Sequence, residues 1–153
     1  MAAPKRVSRL HHHLGYWLRT VSNAVSHRFA RKVEREGVTV AEWAFLRVLY
    51  DAEWVAPSLL AEQMGMTRGA ISKLADRLLE KGLVQREANP DDRRAHRLAL
   101  TPAGRTLVPR LARIADANDA SLFGVLTPGE RRLLEKLLRK IVVAHELRAV
   151  PID

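Results

Sequence analysis

The sequence contains no cysteine and no long apolar run. The absence of cysteine excludes disulfide bonds, thiolate metal sites, cysteine nucleophiles and thiol redox sensing. No apolar segment approaches the roughly 18 residues that a membrane helix needs, and residues 1–20 lack the unbroken apolar core of a signal peptide. We therefore expect a cytoplasmic protein that has no membrane partner.

Glycine and proline are also scarce, with eight and seven residues among 153. These counts exclude a fibrous or low-complexity chain, and 47% hydrophobic with 28% charged residues is typical of a globular protein. A chain of this length can bury enough surface to fold without a metal ion or a disulfide. We expect a single domain over residues 1–153, and nothing in the sequence calls for a cofactor.

Positive charge is what the chain has in excess. Twenty-six Lys and Arg residues against seventeen Asp and Glu give a net charge of +9. Such a surplus favours nucleic acid as the partner, ahead of an anionic membrane. The surplus is uneven, because residues 1–35 hold eight basic side chains and one acidic one, whereas residues 36–67 hold one and five. Net charge alone would therefore direct a polyanion to the amino-terminal segment.

Apolar residues recur at steps of three and four along most of the chain, which predicts five or six helices. Thr39, Thr67, Thr101 and Thr127 are suited to cap four of them. Pro109 lies inside the fifth helix, where a kink is expected. We predict helices from about 10 to 36, 40 to 51, 57 to 64 and 68 to 81, another that starts at 102, and a last one that starts at 128.

The fourth predicted helix has two distinct faces. Ile71 and Leu74 begin an apolar side, whereas Gly69, Ser72 and Lys73 lie on the opposite one. Small outward residues near the start of a helix allow it to enter a major groove about 12 Å wide. The alternative is an ordinary amphipathic helix with a solvated polar face, which is the commoner meaning of this pattern in isolation.

A charged hairpin follows this helix. The runs Leu83–Glu87 and His96–Leu100 are predicted strands, and residues 88–95 between them are predicted to form a loop. A short helix, a turn, a second helix and a hairpin make a winged helix-turn-helix, so the fold class is mainly α with a small β-hairpin (α+β). This order of elements is why we favour DNA binding over a solvated face.

The hairpin tip is rich in arginine. Asp92 is expected to pair with the Arg94 guanidinium and hold it for a narrow minor groove, where negative potential is concentrated. Arg93 and Arg97 are expected to reach phosphates. Thr67 and the first turn of the fourth helix are placed to hold a phosphate oxygen. A solvated charged turn without a partner is the alternative.

Several segments resemble one known family. They are residues 60–61, residues 67–74 (Thr-Arg-Gly-Ala-Ile-Ser-Lys-Leu), residues 76–84, residues 89–94 (Asn-Pro-Asp-Asp-Arg-Arg) and residues 98–104 (Leu-Ala-Leu-Thr-Pro-Ala-Gly). These motifs resemble those of MarR-type bacterial transcription regulators, and the similarity extends to both ends, so that it covers nearly the whole chain. The wing followed by Leu-Thr-Pro-Ala-Gly is the most specific part.

The resemblance implies a homodimer that reads a pseudo-palindromic operator on double-stranded DNA, with repression as the expected outcome. It divides the chain into a winged helix-turn-helix lobe (39–101) and a helical dimerisation region (1–38 and 102–153). Its base-reading positions correspond to Arg68, Gly69, Ser72 and Lys73, with Arg77 toward the DNA backbone, and its wing pair corresponds to Asp92 and Arg94. The branch that senses peroxide through a cysteine is excluded.

Dimerisation is also expected from the residues themselves. The first and last helices carry apolar stripes too long to bury against a lobe of this size, and exposed patches of that extent are rare on monomers.

Many relatives also bind a small aromatic acid that releases DNA. Trp43 and Arg47, one turn apart, with Tyr16 and Trp17 from the first helix, are the candidate lining of such a pocket. Ordinary packing is the alternative meaning of each of these four residues.

Two other functions were weighed. No nucleophile elbow, phosphate-binding glycine loop or paired inward carboxylates are present, so an enzyme is not expected. His11, His12 and His13 point around a helix rather than at one ion, so no metal site is expected there. A non-specific, architectural DNA-binding protein without ligand sensing is the alternative that stays open.

Overall fold

A computed structural model of the chain describes residues 7–148. Within that range it contains six α-helices and one antiparallel hairpin, preceded by a single 3-10 turn at Leu10–His12. The elements are α1 (Leu14–Glu34), α2 (Val40–Tyr50), α3 (Pro57–Met64), α4 (Arg68–Glu80), β1 (Val84–Asn89), β2 (Asp92–Leu100), α5 (Pro102–Phe123) and α6 (Pro128–Ala144). The predicted fold class is confirmed: the chain is mainly helical with one small hairpin.

Side-chain caps define where the helices begin. Thr39 and Thr127 form capping boxes, in which the threonine hydroxyl accepts the N–H of a glutamate three residues on and that glutamate accepts the threonine N–H. Thr67 and Thr101 accept one N–H each from the first turns of α4 and α5. All four predicted caps are confirmed, because capping is a local interaction that the sequence specifies directly.

One hydrophobic core lies inside the winged lobe. It is formed by the end of α1, by α2, α3 and α4, by the wing strands, and by the first half of α5. The largest fully buried apolar side chains are Phe45, Leu46, Leu49, Leu60, Ile71, Leu78, Leu98 and Leu111. This core fixes α4 against α2 and α3, so that the opposite face of α4 is left outside.

The two terminal helices contribute little to that core. Leu14 and Trp17 of α1 are 81% and 54% exposed, and α6 buries none of its residues against the described chain. The apolar stripe of α6 and the amino-terminal half of the α1 stripe are therefore uncovered in a single chain, whereas the end of α1 packs into the core. None of the helices within residues 7–148 is long and apolar enough to cross a bilayer.

Two boundaries differ from the prediction. The loop predicted over residues 88–95 is mostly strand, because cross-strand pairing extends to Asn89 and Asp92 and leaves only Pro90 and Asp91 in the turn. α1 begins at Leu14 rather than near residue 10. α5 runs from Pro102 to Phe123 with Pro109 inside it, where the missing N–H removes one helical hydrogen bond, and the kink expected at Pro109 stays a prediction.

Candidate nucleic-acid interface

The outward face of α4 is polar, narrow and exposed. Arg68, Gly69, Ser72 and Lys73 are exposed, whereas the buried residues of α4 are Ile71, Leu74, Ala75 and Leu78 on its other face. A Cβ added at Gly69 would come no nearer than 4.0 Å to its closest neighbour, the Thr67 hydroxyl. The amino end of α4 therefore stands clear of the rest of the lobe. The separation of faces predicted from helical spacing is confirmed.

Thr67 organises this amino end. Its Oγ1 accepts the Ala70 N–H at 3.1 Å, and its carbonyl accepts the Ile71 N–H at 3.0 Å. Gly65, with a φ of +63°, lets the chain turn from α3 into α4, since a left-handed conformation is strained for other residues. The first turn of α4 thus presents backbone amide groups of the kind that bind phosphate oxygens.

The wing carries two exposed arginines at its tip. Arg93 and Arg94 both lie in β2 directly after the turn, and their side chains are exposed. The Asp92 carboxylate accepts the backbone N–H of Arg94 at 3.0 Å. This corrects the expectation that Asp92 pairs with the Arg94 guanidinium: Asp92 fixes the backbone of the tip, and the guanidinium projects into solvent.

Arg97 lies at the root of the wing instead of its tip. It forms an ion pair with Glu87 on the neighbouring strand, with Nε 2.7 Å from Oε1, and its guanidinium lies 4.7 Å from the centre of the Trp54 ring. Arg97 therefore has partners within the lobe, and the phosphate contact expected of it stays a prediction. Its role within the lobe is to join the wing to the segment between α2 and α3, beside the bridge that pairs Val55 with Leu98.

An open cleft of about 360 Å³ separates α4 from the wing. Arg68 and Ser72 line it from α4, and Arg86 and His96 line it from the strands. The Arg86 guanidinium also lies 3.6 Å from the Asp76 carboxylate. Arg86 and His96 were not among the residues predicted from the sequence. Arg86 and Ala88 are two residues apart on β1 and therefore point to the same face of the hairpin. Because Ala88 pairs with His96 on β2, His96 lies on that face too, so strand alternation and register together indicate that both Arg86 and His96 face α4.

Arg77 lies near the carboxyl end of α4, and its side chain is 46% exposed. Its Nε lies 3.3 Å from Oε1 of the buried Glu42 on α2. The side chain predicted to face the DNA backbone therefore has a partner inside the lobe.

Comparisons with known proteins agree with this geometry. A family model described as MarR family matches residues 36–95. The proposed transcriptional regulatory protein for the hcr operon of Thauera aromatica is 33% identical over 129 residues, which span 84% of this chain and 78% of that protein. The chain belongs to the MarR family.

Solved structures place this MarR-family chain beside DNA-binding proteins. A mutant of MarR from Escherichia coli, solved in complex with operator DNA, superposes with a TM-score of 0.76 and 26% identity, covering 84% of this chain and 93% of that one. BpsR from Bordetella bronchiseptica, whose DNA binding is regulated by 6-hydroxynicotinic acid, gives 0.77 and 26%, covering 89% and 97%. The chain is a MarR-family transcriptional regulator, and its relatives are regulators rather than enzymes.

The four candidate ligand residues do not form one pocket within this MarR-family chain. Trp43 packs edge-on against Phe29, with ring centres 6.4 Å apart. Tyr16 and Trp17 contact each other thirteen residues earlier on α1, which is roughly 20 Å along the helix. Arg47 is exposed and bound to Asp51 at 2.6 Å.

A larger open cavity, of about 950 Å³, lies between α1 and α5. Ser26, His27, Phe29 and Asn118 are among its lining residues, and none of the four predicted ligand residues is.

His11, His12 and His13 are exposed at the 3-10 turn. Among the described residues there is no group of three or more side chains that could hold a metal ion.

Proposed function

We propose that this MarR-family regulator binds a pseudo-palindromic operator as a homodimer and represses the genes beside it. The observation that carries the proposal is the pairing of an exposed, narrow α4 face with two exposed arginines at the wing tip. A helix of that shape fits a major groove, and cations on a thin arm fit the adjacent minor groove. Repression is the expected outcome, because a dimer seated on an operator excludes other proteins from it.

The exposed apolar faces of α1 and α6 support the homodimer. Leu14, Trp17, Leu137 and Ile141 are each at least 47% exposed. Faces of this size are usually covered in solution, and a second copy offers an identical face. We therefore propose that residues 1–38 and 102–153 form the dimerisation region and residues 39–101 the DNA-binding lobe, with residues 1–6 and 149–153 lying outside the described part. A regulator of this kind works in the cytoplasm.

Selection from a random DNA library with the purified full chain tests the function. We expect an enriched inverted repeat, with half-site centres one helical turn or more apart, because twofold symmetry in the protein requires it in the site. Recovery of no common sequence would favour the architectural alternative, in which the lobe binds any duplex through its charge.

We also propose that a small aromatic acid controls DNA binding. The similarity to BpsR supports this, as does the open cavity between α1 and α5, where Phe29 offers an aromatic wall and His27 and Arg31 offer polar or cationic groups. A binding site formed across the dimer would be needed to include the four residues predicted as ligand lining, Tyr16, Trp17, Trp43 and Arg47.

With 6-hydroxynicotinic acid and benzoate as probes, we expect a raised melting temperature of the protein and weaker operator binding. No change in either measurement, with either probe, would count against a ligand of this class.

A further inference from the structure

Glu42 is an acidic residue buried in the core of the lobe. Its side chain is 0% exposed, and Glu42 and Asn118 are the two buried polar residues among those that the structure describes. Glu42 lies in the first turn of α2 and contacts side chains at the carboxyl end of α4. Burying a carboxylate is costly unless its charge is matched, so its partners show what it holds in place.

Two cations at the carboxyl end of α4, Arg77 in its last turn and Lys81 directly after it, meet this carboxylate. Lys81 Nζ donates to Glu42 Oε2 at 2.7 Å, and Arg77 Nε lies 3.3 Å from Oε1. The same lysine donates to the Gly37 carbonyl at 2.8 Å. The carboxyl end of α4 is thereby tied to the turn between α1 and α2.

Helix capping does not require this arrangement. In α6, Glu130 forms the same kind of capping box with Thr127 while its side chain is exposed to solvent. Glu42 accepts the Thr39 N–H at 3.0 Å in the same way, yet it is buried and faces two cations from another helix. The contacts to α4 are therefore additional to its capping role.

The turn between α1 and α2 is also held from the side of α5. Arg110 of α5 binds the Glu36 carboxylate through Nε at 2.8 Å and Nη2 at 3.0 Å. Glu36, Gly37 and Glu42 together form a continuous polar link from α5 to the end of α4. Because α4 is 13 residues long, a tilt of about 10° at its carboxyl end would move its amino end by roughly 3 Å.

We propose that Glu42 is a positioning residue for operator recognition, which sets the tilt of α4 through Lys81 and Arg77. The inference rests on the proposed function, since it concerns how sequence is read once the lobe is on DNA. Base contacts depend on the position of the amino end of α4, whereas attraction to phosphates depends mainly on total charge. Loss of the carboxylate should thus affect sequence discrimination more than binding to random DNA.

The test compares Glu42→Gln with the unchanged chain on the selected operator and on a scrambled duplex. Glutamine keeps the shape and can still accept the Thr39 N–H, but it removes the charge that holds the cations. We expect the preference for operator over scrambled DNA to fall about tenfold, while affinity for scrambled DNA stays level or rises slightly with the added net positive charge. A purely structural role would lower the melting temperature and leave this ratio unchanged in the folded protein.

Two further variants complete the design. Asp51→Asn removes a charge from the exposed Arg47–Asp51 pair at the end of the same helix and should leave the ratio unchanged. Lys81→Gln removes the cation at the α4 end of the same ion pair and should lower the preference for operator over scrambled DNA as Glu42→Gln does. If Glu42→Gln does not fold, Lys81→Gln is the variant that tests the inference. An unchanged ratio in folded Glu42→Gln or Lys81→Gln overturns the inference. If the unchanged chain itself shows no preference, it is the proposed function that fails.

Discussion

Replacing Leu137 and Ile141 by glutamate is expected to produce a monomer whose operator affinity is lower by about 100-fold or more. Both side chains lie on the apolar stripe of α6, where they are 48% and 47% exposed in a single chain. Two carboxylates on that stripe would have to be buried without partners in a dimer, which strongly disfavours association. A monomer can contact only one half-site of the operator. The additional affinity that a dimer gains from contacting both half-sites at once is therefore lost.

Light scattering and operator titration measure the two parts of this prediction. The matched control is Lys136→Gln combined with Lys140→Gln, which changes the net charge by the same amount on the polar side of α6. We expect the control to remain dimeric and to bind the operator nearly as well as the unchanged chain. A glutamate variant that stays dimeric would contradict the assignment of α6 to the dimer interface.

Arg94→Ala is expected to weaken operator binding by about 1–3 kcal/mol, with the loss concentrated at A·T-rich flanks. The Arg94 side chain is exposed at the wing tip, and Asp92 fixes the backbone that carries it. A narrow, A·T-rich minor groove attracts a planar cation because negative potential is concentrated there.

Paired operators measure the effect of Arg94→Ala. One keeps A·T flanks and the other carries G·C flanks, with the half-sites unchanged. The variant should lose the preference for A·T flanks, whereas Arg93→Ala, which removes the neighbouring exposed charge, should weaken both operators by a similar factor. An equal loss on both operators for Arg94→Ala would assign this arginine to phosphate binding instead of the minor groove.

Local features of this chain could be predicted from its sequence. The two faces of α4 follow from helical spacing, and the caps at Thr39, Thr67, Thr101 and Thr127 follow from hydrogen bonds within four residues. These predictions depend on neighbours along the chain, so no tertiary contact could overturn them easily.

Features that depend on distant contacts were missed. Glu42 was not among the residues predicted from the sequence, because its burial and its ion pairs depend on Lys81 and Arg77 at the end of another helix. Arg97 was predicted as a phosphate-binding cation of the wing. Its stacking on Trp54 could not be predicted from local sequence, because the two residues are 43 positions apart. The candidate ligand pocket stays a prediction, because in a single chain Tyr16 and Trp17 lie about thirteen residues along α1 from Phe29, which packs against Trp43.

Competition between the selected operator and a scrambled duplex, at physiological salt and with the unchanged full chain, is the most direct test of the central claim. Our account predicts a preference for the operator of about 10³-fold or more, because base contacts from α4 add to the charge attraction that both duplexes share. Equal affinity for the two duplexes, falling in parallel as salt is raised, would contradict it and identify a lobe that binds DNA without reading its sequence.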